Sequence, residues 1–361
     1  MKSTKTTVLI ILVILSFTIS LVGCDRQSFF APLWQEDTPD PPSEPSEDAM
    51  TDGTDPTPDP PAPIFYNQLT GLVCDEALSS YRPISVCIGN FDGTRQEGLS
   101  LADVLIEAPI DGGATRLWAM LGTPSAAAKL SSVRSVRDYM MPLARSFGSI
   151  TAYAGTTDAP GASNTPFSGD TLDYIHHNLS STFTKEGDTL SVDGNALLSA
   201  AGNMGYTTKA KATLPYALTA PNETRHPTGN RISSIHFSFS EGNTVDFSYR
   251  EDTGLYARSQ NGEAHTDAAN GEQLAFQNVI LLFHNVNYYH SADGTSFSLD
   301  TAAGGDGFCY TGGGVVGVKW CADANGEIAF FDTSGNPLTV NRGKTYIGML
   351  RITDSTSVIA K

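Results

Sequence analysis

Basic residues are scarce in this 361-residue chain. Lys and Arg number 22 against 39 Asp and Glu, a formal charge of −17. That balance argues against binding nucleic acid, or anionic lipid and teichoic acid, by bulk charge, so any anion site has to be local. Cysteine is scarce too, five in all. No C-x-x-C or Cys/His spacing marks a zinc site, and no metal is expected. G-x-S-x-G, H-E-x-x-H and Walker patterns are absent. The Gly runs at 304–307 and 312–314 precede no helix, so they read as hairpin turns, and no cofactor is expected.

What is present begins at the N-terminus. Lys2 and Lys5 precede an apolar-to-small run over residues 7–23, and Cys24 follows. This is the layout of a secretory signal peptide. The competing reading is a transmembrane anchor, but about 17 residues is short for a span, and Asp25-Arg26 rather than a basic cluster follows it. Leu21-Val22-Gly23-Cys24 resembles the lipobox of bacterial lipoproteins. The resemblance implies that residues 1–23 are removed and that Cys24 carries diacylglycerol and acyl chains such as palmitate. The protein would then be extracytoplasmic, lipid-anchored at the outer face of the cytoplasmic membrane, in the cell envelope.

Residues 24–63 are dominated by Pro, Asp, Glu, Ser and Thr. They have too little apolar surface to offset ordering entropy and read as a disordered acidic tether. About 35 residues at about 3.1 Å each would reach roughly 100 Å in the polyproline limit. A spacer into the wall and a solubilising tether with no length requirement are both compatible with this.

The remaining stretch of about 300 residues is long for one core. Over 64–230, short apolar strands (83–88, 103–110, 115–121, 149–154) alternate with helical patterns at 133–147 and 194–204, and Asp111-Gly112-Gly113 sets a hairpin turn. In the first helical pattern, Val136, Met140, Leu143 and Phe147 have helical spacing, with Pro142 inside it. Over 231–361, alternation such as Ile235-Phe237-Phe239 and Val245-Phe247-Tyr249 predicts antiparallel β. The expected class is α+β, a mixed α/β domain followed by a β-rich one. Cys74, Cys87, Cys309 and Cys321 are expected to be mostly free thiols. A hairpin about the 312–314 turn pairs Cys309 with about Gly317, not Cys321.

Several segments together are similar to one family. They are Leu69-Thr70-Gly71-Leu72, Tyr81-Arg82-Pro83-Ile84-Ser85-Val86, Glu107-Ala108-Pro109-Ile110-Asp111-Gly112-Gly113-Ala114-Thr115-Arg116 and Val133-Arg134-Ser135-Val136-Arg137-Asp138-Tyr139. Later come Gly262-Glu263-Ala264-His265-Thr266-Asp267, Lys319-Trp320 and Gly343-Lys344-Thr345-Tyr346. They resemble the YerB-like family of bacterial lipoproteins, a domain of unknown function. The resemblance implies a location and a layout but no activity. The chain departs from it at Gly89-Asn90, where the family has Asp-Asn, and at Ser131-Ser132, where it has Gly-Pro. The family's Pro-His-Asn motif has no counterpart near residues 191–195.

Arg116, Arg134 and Arg137 are the candidate ligand-binding residues. Arg134 and Arg137 would lie on the first turn of a helix capped by Ser131 or Ser132. Arginine there opposes the macrodipole unless an anion is bound. The pocket would suit a carboxylate, phosphate or uronate; alternatively the arginines pair with Asp103, Glu107 and Asp111. Glu107 and Asp111, an even number apart, would share a strand face as a catalytic pair for glycan cleavage. His265 and Asp267 would share another, with Asp orienting the imidazole. Trp118 and Trp320 read as core. Two functions stand: an envelope binding or accessory protein with a wall anion or a protein partner, and a hydrolase or lyase using Glu107 or Asp111 with His265.

Overall fold

The computed structural model describes residues 62–91, 93–156, 167–210, 212–291 and 294–361. The expected signal peptide, Cys24 and nearly all of the expected tether lie outside the described residues.

The first half contributes β1 (Ile84–Asn90), β2 (Val104–Pro109), β3 (Thr115–Leu121), β4 (Ile150–Tyr153) and β5 (Thr171–Asp173). After residue 230 come β6 (Ser234–Ser240), β7 (Asn243–Arg250) and β8 (Leu255–Gln260). Then follow β9 (Asn278–His284), β10 (Gly305–Thr311), β11 (Gly314–Ala322), β12 (Ile328–Asp332) and β13 (Thr345–Arg351). Ten of these strands form one sheet in the order β12-β11-β10-β9-β13-β2-β3-β1-β4-β5. Strands from the two halves meet where β13, last of the thirteen, runs parallel to both β9 and β2. The chain is therefore mostly β, and its main sheet is continuous across residue 230. The pairings among β6 to β12 are antiparallel, as expected for most of the second half, and β13 is the exception, parallel to β9 and β2.

Both faces of the large sheet are covered, which is why β1, β2, β3 and β9 are buried along their whole length instead of alternating. On one face Val86, Leu105, Leu117 and Ala119 meet Phe237, Phe247 and Tyr256 of the smaller sheet. On the other, Trp118, Ile106 and Met120 meet Met140, Leu143 and Phe330. The smaller sheet is built on β6–β8, and β6 alternates strictly: Ile235, Phe237 and Phe239 point inward.

The Gly-Gly hairpin forms as read. β2 and β3 pair antiparallel, with Glu107 opposite Leu117. The turn needs its glycines, since Gly112 and Gly113 sit at φ 77° and 80°. The second helix is α2, Gly194–Asn203 in the described chain, where Asp193 accepts from the Ala196 amide at 2.8 Å. The expected helix over 133–147 shrinks to a 3₁₀ turn (Asp138–Met140) and α1, Met141–Arg145. Residues 133–137 are extended because strands use their backbone. The Arg134 amide donates to Cys87 O, and Arg134 O accepts from Ala154. Pro142, lacking an N–H, stands in the first turn of α1, where none is needed. Cys309 pairs with Val316, one residue from the expected register, and Cys74, Cys87 and Cys309 are free thiols.

Candidate functional site

Arg116 lies on β3, on the same face as Trp118, directly opposite Gly89 of β1. The place where a Gly89 side chain would stand is already taken. A Cβ there would meet the Phe91 ring at 2.8 Å and Arg134 Cγ at 3.0 Å. Arg116 is 8% exposed, and its Nε donates to Ser135 O at 3.1 Å. Burial, and after it the charges of Arg137 and Arg134, push its guanidinium below the usual range, with the buried Cys87 thiol opposing. Arg134 lies over the Phe91 ring, 5.6 Å from its centroid, and donates to Val133 O and Asp188 O.

Arg137 faces Asp111 at a loose 3.7 Å. Arg137 Nη1 and Asp111 Oδ1 are both buried without a hydrogen-bond partner. Tyr289, in the hairpin that follows β9, is close enough for Asp111 to help burial raise its phenol pKa. The three arginines thus lie near one another, on a strand and an extended segment. Arg134 and Arg137 are not on a helix. Ser131 and Ser132 cap nothing: their hydroxyls donate to Arg95 O.

Glu107 lies elsewhere, on the face of β2 covered by the smaller sheet, and is wholly buried. Its Oε2 accepts from Arg258 Nη2 at 2.8 Å and from Tyr346 Oη at 2.7 Å. Its Oε1 accepts from Thr115 Oγ1 at 2.6 Å and Asn90 Nδ2 at 2.9 Å. Four donors fill the four lone-pair positions of the carboxylate, leaving none for a substrate. The network continues from Asn90 to Gln260 and Gln96. His265 Nε2 donates to Gln96 Oε1 at 2.6 Å, and its Nδ1 accepts from Arg258 Nη1. Burial, then Arg258, holds the imidazole well below its ordinary pKa, so it is neutral.

The candidate catalytic residues therefore do not assemble. β2 ends at Pro109, and Asp111 sits in the following 3₁₀ turn against Arg137, so Glu107 and Asp111 share neither a face nor a cleft. His265 and Asp267 do not touch through their side chains in any hydrogen bond of the described chain. Asp267 instead accepts from the amides of Gly98, Ser100 and Ala269 and from Ser100 Oγ. Burial alone would raise its pKa, and these donors outweigh it to give a net fall. Asp103 binds Asn67 and the Gly122 amide, not an arginine. Trp118 and Trp320 are buried and offer no stacking platform.

Sequence reasoning missed Arg258 as a partner of Glu107. The signal was its position in β8, two residues from Tyr256 and two from Gln260, on the side facing the core.

Two family models match the chain: the N-terminal domain of a protein of unknown function, DUF3048, over residues 69–192, and its C-terminal domain over residues 235–347. The chain belongs to this family. The YerB-like membership expected from the motifs holds. The Bacillus subtilis (strain 168) protein named "Putative lipoprotein YerB" is 27% identical over 297 residues, spanning 80% of this chain and 87% of that one. The crystal structure of YerB from Bacillus subtilis superposes with a TM-score of 0.68 at 25% identity, covering 82% of this chain and 99% of that chain. The three arginines and Glu107 fall in the first matched domain, and Arg258, His265 and Tyr346 in the second. The buried ion pair thus joins the two family domains.

Proposed function

We propose that the protein is a cell-envelope lipoprotein, anchored through Cys24 at the outer face of the cytoplasmic membrane, that binds a small anionic group at Arg116, Arg134 and Arg137. The observation that carries this reading is the uncompensated charge. Among the described residues, the charges of Arg134 and Arg137 both act on the buried Arg116, Arg137 has its one ion pair with Asp111 at a loose 3.7 Å, and a buried Arg137 nitrogen has no partner. Clustered arginines repel one another, and an anion with several oxygens relieves that repulsion and takes up the free donors. The lipobox-like Leu21-Val22-Gly23-Cys24 and the relative's printed name support the anchor.

Calorimetry with inorganic phosphate and with glucuronate tests the binding. The chain from residue 25 should bind one of them saturably, and Arg116→Ala should weaken it about tenfold, the size of one charge-assisted hydrogen bond. Gly89→Asp would place a carboxylate opposite Arg116 and should abolish binding. Unchanged affinity in both variants would sink the proposal. Labelled palmitate should enter the full chain in its bacterial host, and Cys24→Ser should remove the label and release the protein from membranes.

A further inference from the structure

The chain is first described at residue 62, and a small hairpin follows at once. Phe65–Tyr66 pairs antiparallel with Val73–Cys74, outside the large sheet. Its loop is pinned from the inner side. Leu69 is fully buried, and Asn67 Oδ1 accepts from the Leu69 and Thr70 amides at 2.9 and 3.2 Å. Asn67 Nδ2 donates to Asp103 at 3.0 Å. Arg342 donates to Gly71 O and lies over the Tyr66 ring, 4.9 Å from its centroid.

The outer side of the hairpin is aliphatic. Ile64, Leu72 and Val73 are 63%, 50% and 71% exposed. Tyr66 stands opposite Val73, and Ile64, two residues before Tyr66, shares its face. Side chains so exposed project from the surface instead of lining a groove, and the pinned backbone keeps them from folding back onto the core. Clustered exposed aliphatic groups mark contact with a protein or a membrane. The place of the hairpin and its charges decide between the two. It stands where the expected tether enters the domain, so only residues 24–61 separate it from an anchor at Cys24. A tether of that length averages about 35 Å when flexible and reaches about 100 Å when fully extended. It keeps the local concentration of lipid high enough for a weak apolar contact to count. A tyrosine with an arginine on its ring fits the headgroup level of a bilayer. A second copy of the chain is disfavoured. Asp75 and Glu76, both exposed, follow the hairpin, and pairing two hairpins would crowd these carboxylates in a chain of formal charge −17. The same carboxylates disfavour anionic lipid.

We infer that this hairpin docks the domain on a lipid bilayer, entering the headgroup boundary with Ile64, Leu72 and Val73 at lipids of no net charge. The inference rests on the lipid-anchored reading for its local lipid concentration. It does not depend on the arginine cluster.

Ile64→Trp supplies a reporter, with the parent as background for the native tryptophans. The full chain purified from its bacterial host is placed in vesicles of phosphatidylcholine brominated near the headgroup. The reporter emission should move to the blue and be quenched, and adding Leu72→Glu and Val73→Glu should restore the emission seen in buffer. All three positions are exposed, so these changes leave the core intact. The chain from residue 25, titrated with the same vesicles, should show the same quenching at higher lipid, and the two glutamates should weaken it about tenfold. That titration reads the hairpin whether or not Cys24 carries lipid, so loss of the anchor and loss of the docking surface are told apart. No quenching in either chain overturns the inference, as does quenching that survives the glutamates. Stronger partition into phosphatidylglycerol vesicles overturns the headgroup class. A blue shift without lipid, together with a doubled mass in sedimentation equilibrium, overturns the bilayer in favour of a second copy.

Discussion

Removing the charge of Arg258 should cost more stability than any other single side-chain change in the polar network. Both partners of its pair with Glu107 are fully buried, 2.8 Å apart. Arg258→Met keeps much of the volume but leaves a buried carboxylate with three neutral donors, Tyr346, Thr115 and Asn90. Breaking a buried pair from one side costs about 3–5 kcal/mol, and the remaining donors place the expected loss near the lower end. Glu107→Gln should cost a comparable amount, because Arg258 is then buried without a counter-charge. The double variant removes both charges, so it should lose less than the sum of the two singles, by about 2–3 kcal/mol. Urea unfolding of the chain from residue 25, followed through the buried Trp118 and Trp320, measures all three. A loss below about 1 kcal/mol in Arg258→Met, or strict additivity in the double variant, would refute the idea that this pair clamps the two halves of the fold together.

Acid should destabilise the protein through its buried histidines. Burial pushes His284 down to about 4 despite the Asp300 carbonyl, and His265 shifts the same way. The unfolded chain takes up those protons below about pH 6.5 while the folded chain does not, so stability is full above that pH and falls as pH drops toward 4, by about 2 kcal/mol at pH 5 for His284 alone. His284→Phe, which keeps a ring in tilted contact with Trp320, where the centroids are 4.3 Å apart, should flatten the decline; identical pH slopes in parent and variant would falsify the assignment. Burial also raises the thiols of Cys87 and Cys309, to about 11 and about 12. Iodoacetamide at pH 8 on the native protein should modify Cys74 and spare both, as read by peptide mass spectrometry, and rapid labelling of Cys87 would contradict its placement in the core.

Much of the local structure was legible in residue order. Ile235-Phe237-Phe239 announced β6, Asp111-Gly112-Gly113 announced the β2–β3 turn, and Gly205 marked the end of α2. These signals work because they report side-chain period and allowed φ, which act over a few residues. The segment around Arg134 was misread for the same reason. Its apolar spacing is helical, yet Cys87 and Ala154, distant in sequence, took the backbone groups that a helix needs. Arg116, Arg134 and Arg137 lie near one another through Gly89 and Ser135 instead of a helix turn.

The sequence by itself carried the family of unknown function, through motifs spread over both matched domains, and an expected address, read from an apolar leader over residues 1–23, Cys24 after it and an acidic Pro-rich segment. Only the tertiary structure decided that β13 lies between β2 and β9 and makes one sheet of both halves. It also decided that Glu107 meets Arg258, 151 positions away, and becomes a buried counter-ion and not a catalyst. Strand neighbours and charge partners are chosen by which surfaces can be buried together. That choice is made by the whole chain at once, so no local pattern records it.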